Sequence, residues 1–593
     1  MNGNGYDLRD NFSADRRGAT VVQELQKLRR QDLWLLMVWV AIGLGLRFAN
    51  LTLKPMWGDE WATLAFSLGH GFRGIPFDQL FPLTTFLEPL RFEAGRSLAA
   101  VTTSLLTESN HPPLYFWLTR LWLGLWSQDG QYVSIWVGRS LSALLGTVLI
   151  PVGFGLGWYC WQERWTAHVT ALAIALSPFA VYLSQEARHY SFVLLWICLS
   201  LGCLVAIARA IKQGRSPSLP LLGGWLIVNS IGVVSHYFMI LHIWAEGLVL
   251  LWLYLGQVQM AVSQVTAQGF ARMSLLFKKS VLPLIQAPWR RVMFTLGANA
   301  VMILTILRAW SRNDDSKITS WLAKEYGWNW ELFDPLGRLL LWLWGMLFSF
   351  PIEADSLVIV ILSAIALLGL IIWLTPQWFK ALKLLANHLE TRLLLVLIAG
   401  NLLTFLVTTY AFQRDLFVAP RYQFIYFPAV ILLLAAILRH FWQQQKKRTV
   451  IGILALMLLS SLWVNLDAVY RKPENTRAIA QLIAANSSSY PIVITTRDWR
   501  SSEVRSLLGI AWEIQQQQLP IQPDFFIINH DSLNPHPLVQ QSLDKYQQPF
   551  ELWMVSTPIR PPEEKCDRLP EPTQKIQGLY YKKYLCHLPT TSP

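Results

Sequence analysis

The chain has 593 residues, of which 53% are hydrophobic, only 15% are charged and 29 are tryptophan. A soluble globular domain carries about 25% charged residues. This composition excludes a disordered, a collagen-like or an ordinary cytosolic protein. It predicts a polytopic membrane protein that is long enough for more than one domain.

The net charge of +13 is unevenly distributed. From Asp467 to the C-terminus there are 13 basic and 13 acidic residues, so the whole excess lies in the hydrophobic part. That pattern fits cytoplasmic loops under the positive-inside rule better than it fits nucleic-acid binding. We therefore expect membrane lipid as a partner and no nucleic acid.

The N-terminal residues 1–32 are polar and basic, and no short apolar segment with a small-residue cleavage site follows them. We expect a cytoplasmic N-terminal segment and a retained first span at 33–53. Runs long enough to cross or enter a bilayer, at ~20 residues per crossing, number thirteen. They are 33–53, 113–127, 133–158, 165–183, 190–211, 219–235, 237–256, 292–310, 336–350, 355–374, 391–411, 421–441 and 449–466.

Loop charge indicates which of these runs cross. Residues 257–291 hold five basic and no acidic residues and should be cytoplasmic, whereas 53–112 holds four basic and six acidic residues and should lie outside. If all thirteen runs crossed, 257–291 would lie outside. Treating the short runs 113–127 and 336–350 as re-entrant or interfacial helices leaves eleven crossings, which we prefer, with thirteen left open. Either number places the C-terminus outside.

The C-terminal segment 467–593 is predicted to be a soluble extracytoplasmic α/β domain, following a membrane domain at 33–466. Its strand candidates are rich in β-branched and aromatic residues. Cys566 and Cys586 are expected to pair if this domain is extracytoplasmic. The predicted strands are 491–495, 524–529, 550–556 and 579–585, and the predicted helices are 474–486 and 537–546.

The adjacent carboxylates Asp59 and Glu60 follow the first span, in the segment PMWGDEW (55–61). Most such pairs are solvated loop acids. Here the neighbours are Trp, Met and Gly, and desolvation among aromatic residues raises the basicity of a carboxylate. The segment on its own supports a catalytic role and a solvated loop equally.

His111 ends the same outer loop in the segment NHPPLY (110–115). The two prolines stiffen the entry into the next helix and fix where the His111 side chain points. On its own, this segment is more typical of a helix start with an incidental histidine.

Cations and polar aromatic residues recur where apolar runs begin or end. Arginine near bilayer depth is costly and tends to face a cavity or an anionic partner, although snorkelling to head groups explains each one equally well. If several met on one side of the membrane, their guanidinium groups would suit a phosphate. These residues are Arg139, Arg188, Tyr190, His236, Tyr237, Arg421 and Tyr422.

Other catalytic signatures are missing from the sequence. It has no Walker A loop, no dinucleotide glycine fingerprint, no HExxH and no GxSxG, and its Cys and His residues do not fall at zinc-site spacing. ATP-driven transport is therefore not supported. We assign no cofactor; a divalent metal is left open, without support from a second acidic pair in the later outer loops.

Taken in order, these motifs resemble a known family. DE, HPPLY, RSLSALLG, SQEARxY and PRY follow one another as they do in the GT-C membrane glycosyltransferases of family 39, which include protein O-mannosyltransferase and aminoarabinose-transferase relatives. The resemblance is strongest over 30–240 and continues weakly to about 466. It implies a GT-C fold with 11–13 transmembrane helices, a polyprenyl-phosphate-linked sugar donor and inverting transfer to an acceptor on the extracytoplasmic side.

The resemblance also implies residue roles. Asp59 looks like the general base and Glu60 like the acid that binds or orients the acceptor, while His111 stands where the family has a residue between donor and acceptor. His236 and Tyr237 are assigned to substrate binding. Contacts to the donor phosphate or sugar, and the tyrosines that support them, would be Arg139, Arg188, Arg421, Tyr190 and Tyr422.

Two other interpretations stay open. A polyprenyl-lipid transporter or flippase without catalysis would use the same arginines for phosphate, and it predicts paired charges deep within spans together with repeat symmetry. We find no internal repeat in the sequence. A non-catalytic assembly or receptor protein would use the C-terminal domain as a binding module. The sequence indicates neither the sugar nor whether the acceptor is a protein, a lipid or a polysaccharide.

Overall fold

The computed structural model describes residues 29–267, 282–310, 322–327, 329–497, 502–529, 536–570 and 576–587. The described chain is a bundle of apolar helices joined to a C-terminal domain that contains a β-sheet. The predicted fold class, a polytopic helical membrane protein with a C-terminal α/β domain, is confirmed.

The helices up to residue 465 form the membrane part and the loops that connect its spans. Long runs of Leu, Ile, Val, Ala and Trp favour helices here because every backbone polar group must be bonded inside its own helix in lipid. They are α1 (Arg30–Phe48), α2 (Gly58–Ser67), α3 (Leu83–Leu87), α4 (Leu98–Glu108), α5 (Leu114–Trp126), α6 (Ile135–Trp161), α7 (Arg164–Leu176), α8 (Pro178–Ser184), α9 (Tyr190–Lys212), α10 (Leu219–Ser235), α11 (Met239–Ala267), α12 (Leu282–Trp310), α13 (Asp334–Gly345), α14 (Leu357–Leu385), α15 (Leu389–Tyr410), α16 (Phe427–Gln443) and α17 (Lys447–Asn465).

Within the described residues, nine helices are long and apolar enough to cross a membrane. The pair α7 and α8, bent by 55° at its break, provides a tenth candidate, and α10 is a shorter apolar helix. Counting both would give the eleven crossings preferred from loop charge. The two runs set aside there form only the short helices α5 and α13. The number of crossings stays a prediction.

The break between α7 and α8 has a local cause. Pro178 cannot continue α7, and the Ser177 hydroxyl caps α8 by accepting the Ala180 N–H at 3.2 Å. The carbonyls left without partners at the end of α7 are bonded by the buried Arg47 of α1, whose guanidinium donates to Ile174 at 3.0 Å and to Ala175 at 3.3 Å. After this bend, α8 leads into the segment that joins it to α9 and contains Arg188.

The C-terminal domain contains a six-stranded sheet in the order β1-β3-β2-β4-β6-β5. Strands β2, β3 and β4 are parallel, and β1, β5 and β6 pair with their neighbours in antiparallel fashion. Its elements are β1 (Leu80–Pro82), α18 (Thr476–Asn486), β2 (Ile492–Arg497), α19 (Ser502–Gln516), β3 (Asp524–Ile528), α20 (His536–Tyr546), β4 (Phe550–Val555), β5 (Cys566–Arg568) and β6 (Tyr581–Cys586).

The sheet is not built from the C-terminal segment alone. Strand β1 comes from the loop 53–112 and pairs with β3, so that Phe81 lies opposite Phe525. A disulfide bond joins Cys566 of β5 to Cys586 of β6. The predicted boundary at residue 467 separates two segments of the sequence. In the structure, however, the loop 53–112 contributes a strand to the sheet of the C-terminal domain.

One apolar core also joins the loop to this domain. Trp61 of α2 packs on Trp512 of α19, with ring centroids 5.6 Å apart. A Cβ atom at Gly509 would lie 2.8 Å from both the Trp61 indole nitrogen and a methyl carbon of Thr476. Helix α19 can therefore approach α2 this closely only because residue 509 is glycine.

Candidate functional site

The candidate site is built around the first turn of α2, where Asp59 and Glu60 lie side by side. The N-terminus of a helix favours negative side chains. Consecutive helical residues point about 100° apart, so the two carboxylates face different surroundings although they are neighbours in sequence. α2 lies between the membrane helices and the C-terminal domain, and both parts supply cations to it.

Glu60 is fully buried and tightly bonded. Its two carboxylate oxygens each accept a hydrogen bond of 2.8 Å from Arg139, and the Ala187 N–H donates a further bond at 2.8 Å. The ammonium of Lys472, from the segment before α18, lies 3.4 Å away. Burial opposes ionisation, but Arg139 and Lys472 hold the pKa of Glu60 at about 2.

Arg139 is fully buried and uses all five of its N–H donors. Two of them bond Glu60, and the others bond the backbone carbonyls of Leu51 at 2.8 Å, Lys54 at 2.9 Å and Pro55 at 3.2 Å. The expectation that Arg139 contacts a donor phosphate disagrees with this geometry, because no donor is left. Arg139 instead anchors the turn between α1 and α2.

Asp59 differs from its neighbour in exposure and in bond length. Its side chain is 31% exposed, and its nearest cations are Arg188 at 3.7 Å and Arg505 at 3.5 Å, one on each oxygen. Burial opposes ionisation, but Arg188, Arg421 and Arg505 hold the pKa of Asp59 below its usual range. The carboxylate is therefore ionised, partly open to solvent and loosely held.

Arg188 lies between α8 and α9 and connects Asp59 to His111. It donates to the Asp59 carbonyl at 3.2 Å, to the Thr63 hydroxyl at 2.9 Å and to Nε2 of His111 at 3.2 Å. Arginine has no acceptor, so Nε2 accepts and Nδ1 carries the proton, 2.8 Å from the Ser109 hydroxyl. Burial and Arg188 lower the pKa of His111 to about 3, and His111 is thus a neutral side chain.

Arg421 stands at the start of a 3₁₀ segment (Pro420–Tyr426) that leads into α16. Its guanidinium carbon lies 4.4 Å from the ring centroid of Trp57 and 5.3 Å from that of Tyr422. Among the described residues no carboxylate lies within ion-pair distance of it, and its Nε has no hydrogen-bond partner. Arg421 is therefore held by aromatic rings, and its N–H donors form no hydrogen bond to a carboxylate of the described residues.

The remaining predicted residues form a layer of rings behind Arg188. Tyr190 lies under the Arg188 guanidinium at 5.8 Å, and its ring is 5.8 Å from that of His236. His189, which is not among the predicted site residues, packs against His236 with the ring centroids 4.3 Å apart and the rings tilted by 50°. Tyr237 packs against the apolar core of the membrane helices. The structure thus brings Asp59, His111, Arg188 and Arg421 together, with Tyr190, His236 and Tyr422 in support.

Three polar residues of the C-terminal domain were not predicted. Arg505 and Lys472 bring cations to Asp59 and Glu60, and the Glu474 carboxylate accepts the Ser506 hydroxyl at 2.6 Å. Burial raises the pKa of Glu474, and the negative charge of Asp59 raises it further. Because these residues lie about 400 positions along the chain from Asp59, no local motif marks them. Across the ranges that the structure covers, no group of three or more His, Cys, Asp or Glu residues could hold a metal ion.

Comparison with known proteins gives neighbours in structure and none in sequence. No family model and no curated protein matches the chain. It is similar to ArnT from Cupriavidus metallidurans in the apo state (13% identity, 89% of this chain and 93% of that one, TM-score 0.47) and bound to undecaprenyl phosphate (13%, 93% and 97%, 0.46). It is also similar to the Archaeoglobus fulgidus oligosaccharyltransferase in complex with Zn and sulfate (13%, 88% and 67%, 0.41). Membership of family 39 stays a prediction.

Proposed function

We propose that the chain is an inverting GT-C membrane glycosyltransferase, which moves a sugar from a polyprenyl-phosphate-linked donor to an acceptor on the extracytoplasmic side. In this proposal the N-terminus is cytoplasmic and the C-terminal domain is extracytoplasmic. One observation carries it: an ionised, part-exposed Asp59 is surrounded by the three guanidinium groups of Arg188, Arg421 and Arg505, beside the end of the first membrane helix.

Asp59 acts as the general base. An acceptor hydroxyl has a high pKa, so its proton must be taken as its oxygen bonds to the anomeric carbon. A carboxylate that is ionised and exposed can take that proton, and the long contacts of Asp59 leave its lone pairs accessible. Glu60 cannot do the same, because its oxygens are occupied and sealed from solvent. We therefore assign Glu60 to positioning α2.

Arg421 binds the phosphate that departs. The phosphate carries the charge that develops as the glycosidic bond breaks, and fixed guanidinium donors stabilise that charge in a site with little water. The aromatic rings of Trp57 and Tyr422 contact Arg421, which leaves the N–H donors of its guanidinium for oxygen acceptors. Arg188 fixes Asp59 and the neutral His111, so it sets the distance between base and donor.

A transporter without catalysis is favoured by one separate observation. His242 and Glu246 of α11 are fully buried and lie 3.4 Å apart, which places two ionisable side chains together within the membrane part. Glu246, however, accepts bonds from Ser200 and Trp225, and His242 bonds the Ile425 carbonyl of the Arg421 segment. The network therefore ties helices together behind the site, and we prefer the transferase.

The test is sugar transfer from radiolabelled polyprenyl-phosphate sugars to a native membrane extract. Asp59→Asn should reduce transfer by roughly 10²–10⁴-fold at equal membrane level, as expected for loss of a general base. The matched control is Glu88→Gln, which removes an exposed acid of the same loop whose ion pair is with Arg91. It should transfer normally. Equal transfer by wild type and Asp59→Asn would refute the assignment, and lipid movement in proteoliposomes without any product would favour the transporter.

A further inference from the structure

Arg505 reaches Asp59 from the other side of a domain boundary. It lies on α19 of the C-terminal domain, and its Nη1 is 3.5 Å from Oδ1 of Asp59. A Cβ atom at Gly58 would lie 3.5 Å from the Cβ of Arg505 and 3.8 Å from its Cδ. The stem of Arg505 therefore runs directly over the first residue of α2, and this contact restricts where its guanidinium can lie.

The helix that carries Arg505 is held firmly on α2. Trp512 packs on Trp61, and Gly509 permits the closest approach of the two helices. Arg477 of α18 adds a hydrogen bond of 2.7 Å to the carbonyl of Leu53, just before α2. Because the interface is both apolar and hydrogen-bonded, the position of Arg505 follows the docking of the whole C-terminal domain.

Ionisable groups from five elements face Asp59. Arg188 comes from the segment before α9, Arg421 from the 3₁₀ segment, and Arg505 from α19, while His111 and Glu474 act from the segments before α5 and α18. Glu474 is an acid, and the three arginines supply the largest attractions to the carboxylate. Of these, Arg188 contacts Oδ2 and Arg505 contacts Oδ1.

We propose that Arg505 is a positioning residue for Asp59: from the C-terminal domain it fixes one carboxylate oxygen, while Arg188 fixes the other, so that the base of the membrane part is correctly oriented only when the C-terminal domain is docked. This inference rests on the proposed function, because it gives Asp59 the role of base. Arg505 itself touches neither donor nor acceptor in this scheme. The C-terminal domain thereby becomes a part of the active site.

The test measures the protonation of Asp59 without any substrate. A water-soluble carbodiimide with an amine labels protonated carboxyl groups, and mass spectrometry of the full chain in nanodiscs gives the labelled fraction of Asp59 between about pH 3 and 6. Removing a cation raises the pKa of a carboxyl. In Arg505→Gln the midpoint of labelling should therefore move up by about 1 pH unit, since two arginines remain. Arg505→Lys, which keeps the charge, should stay near wild type.

The matched control is Arg477→Gln, which removes an arginine of the same domain interface that contacts the Leu53 carbonyl rather than Asp59. It should leave the midpoint unchanged. An unchanged midpoint in Arg505→Gln, or equal shifts in both variants, would overturn the proposal. If Arg505→Gln does not fold, Arg505→Met, which also removes the charge, takes its place with the same expected and contradicting results.

Transfer activity of the same variants separates the two claims. The acid limb of the kcat/KM profile should move with the labelling midpoint. The midpoint could move while Asp59→Asn transfers sugar like wild type. That result would support the contact between Arg505 and Asp59 but would refute the catalytic role of Asp59 and, with it, the proposed function.

Discussion

Asp59 and Glu60 are adjacent in sequence, and each forms an ion pair with one cation from the membrane part and with one from the C-terminal domain. Glu60 is fully buried and bonded by Arg139 at 2.8 Å on both oxygens, whereas Asp59 is 31% exposed and its ion pairs are 3.5 and 3.7 Å long. Burial and geometry therefore separate two side chains of the same chemistry. The tight pair holds the structure, and the loose one is left available for a reaction.

This difference follows from helix geometry. Because the two residues share the first turn of α2 but point about 100° apart, one side chain is directed into the junction between Arg139 and Lys472 and the other toward Arg421 and solvent. A buried ion pair contributes little net stability over an apolar substitute, but removing one partner leaves an uncompensated charge. The comparison therefore predicts opposite phenotypes for the two acids.

The largest effect is expected for Glu60→Gln. The change leaves the charge of Arg139 buried without its acid, which costs about 3–5 kcal/mol, and leaves Lys472 with Glu186 alone. We expect a large drop in the yield of folded protein and in the unfolding temperature, measured by intrinsic tryptophan fluorescence in detergent. If Glu60→Gln unfolded at the temperature of wild type, the structural role of Glu60 would be lost.

Arg421→Gln should act on transfer rather than on folding. Loss of a fixed donor to a developing negative charge typically lowers the rate by roughly 10²-fold. The expected result is a fall in kcat with little change in unfolding temperature, and Arg421→Lys should recover part of the rate. A rise in KM with kcat unchanged would instead mean that Arg421 binds donor and transition state equally.

Lys472→Met tests the contribution of the cation that the C-terminal domain brings to Glu60. The methionine fills similar volume and removes the second cation, while the bidentate pair with Arg139 stays. We expect a loss of about 1–3 kcal/mol in the free energy of unfolding, because Glu186, which is bonded by Lys472 at 2.6 Å, also loses its partner. An effect as large as that of Glu60→Gln would show that Arg139 alone does not stabilise the carboxylate.

The smallest expected effect is a loss of thermal stability at acid pH, as Glu60 becomes protonated. Its folded-state pKa of about 2 lies below the ordinary value of 4.5, so the ionised form stabilises the fold above pH 4.5, and this contribution disappears as the pH falls toward 2. The unfolding temperature of wild type should fall over this interval. In Glu60→Gln the fall should be smaller; equal slopes would contradict the assigned environment.

Much of the fold could be predicted because its signals are local. The strands β2, β3, β4 and β6 and the helices α18 and α20 match predicted segments to within a few residues, since each carries its own periodicity. The other elements were missed for identifiable reasons. Strand β1 has three residues and exists only through pairing with β3, and α19 combines an internal glycine with a polar, glutamine-rich end.

The site was predicted in part for the same reason. Asp59, His111, Arg188 and Arg421 each lie in a recognisable segment, and the structure places them together. Arg139 lies in an equally recognisable segment, but its burial and its carbonyl partners depend on tertiary packing that no local pattern encodes. Arg505 lies on the helix that was missed.

The most direct test of this account compares Asp59→Asn with wild type in two measurements on one preparation, sugar transfer and thermal unfolding. The account predicts that transfer falls by roughly 10²–10⁴-fold while the unfolding temperature stays at the wild-type value, because Asp59 is part-exposed and loosely paired. Full transfer by Asp59→Asn, or a loss of transfer that only accompanies unfolding, would contradict it.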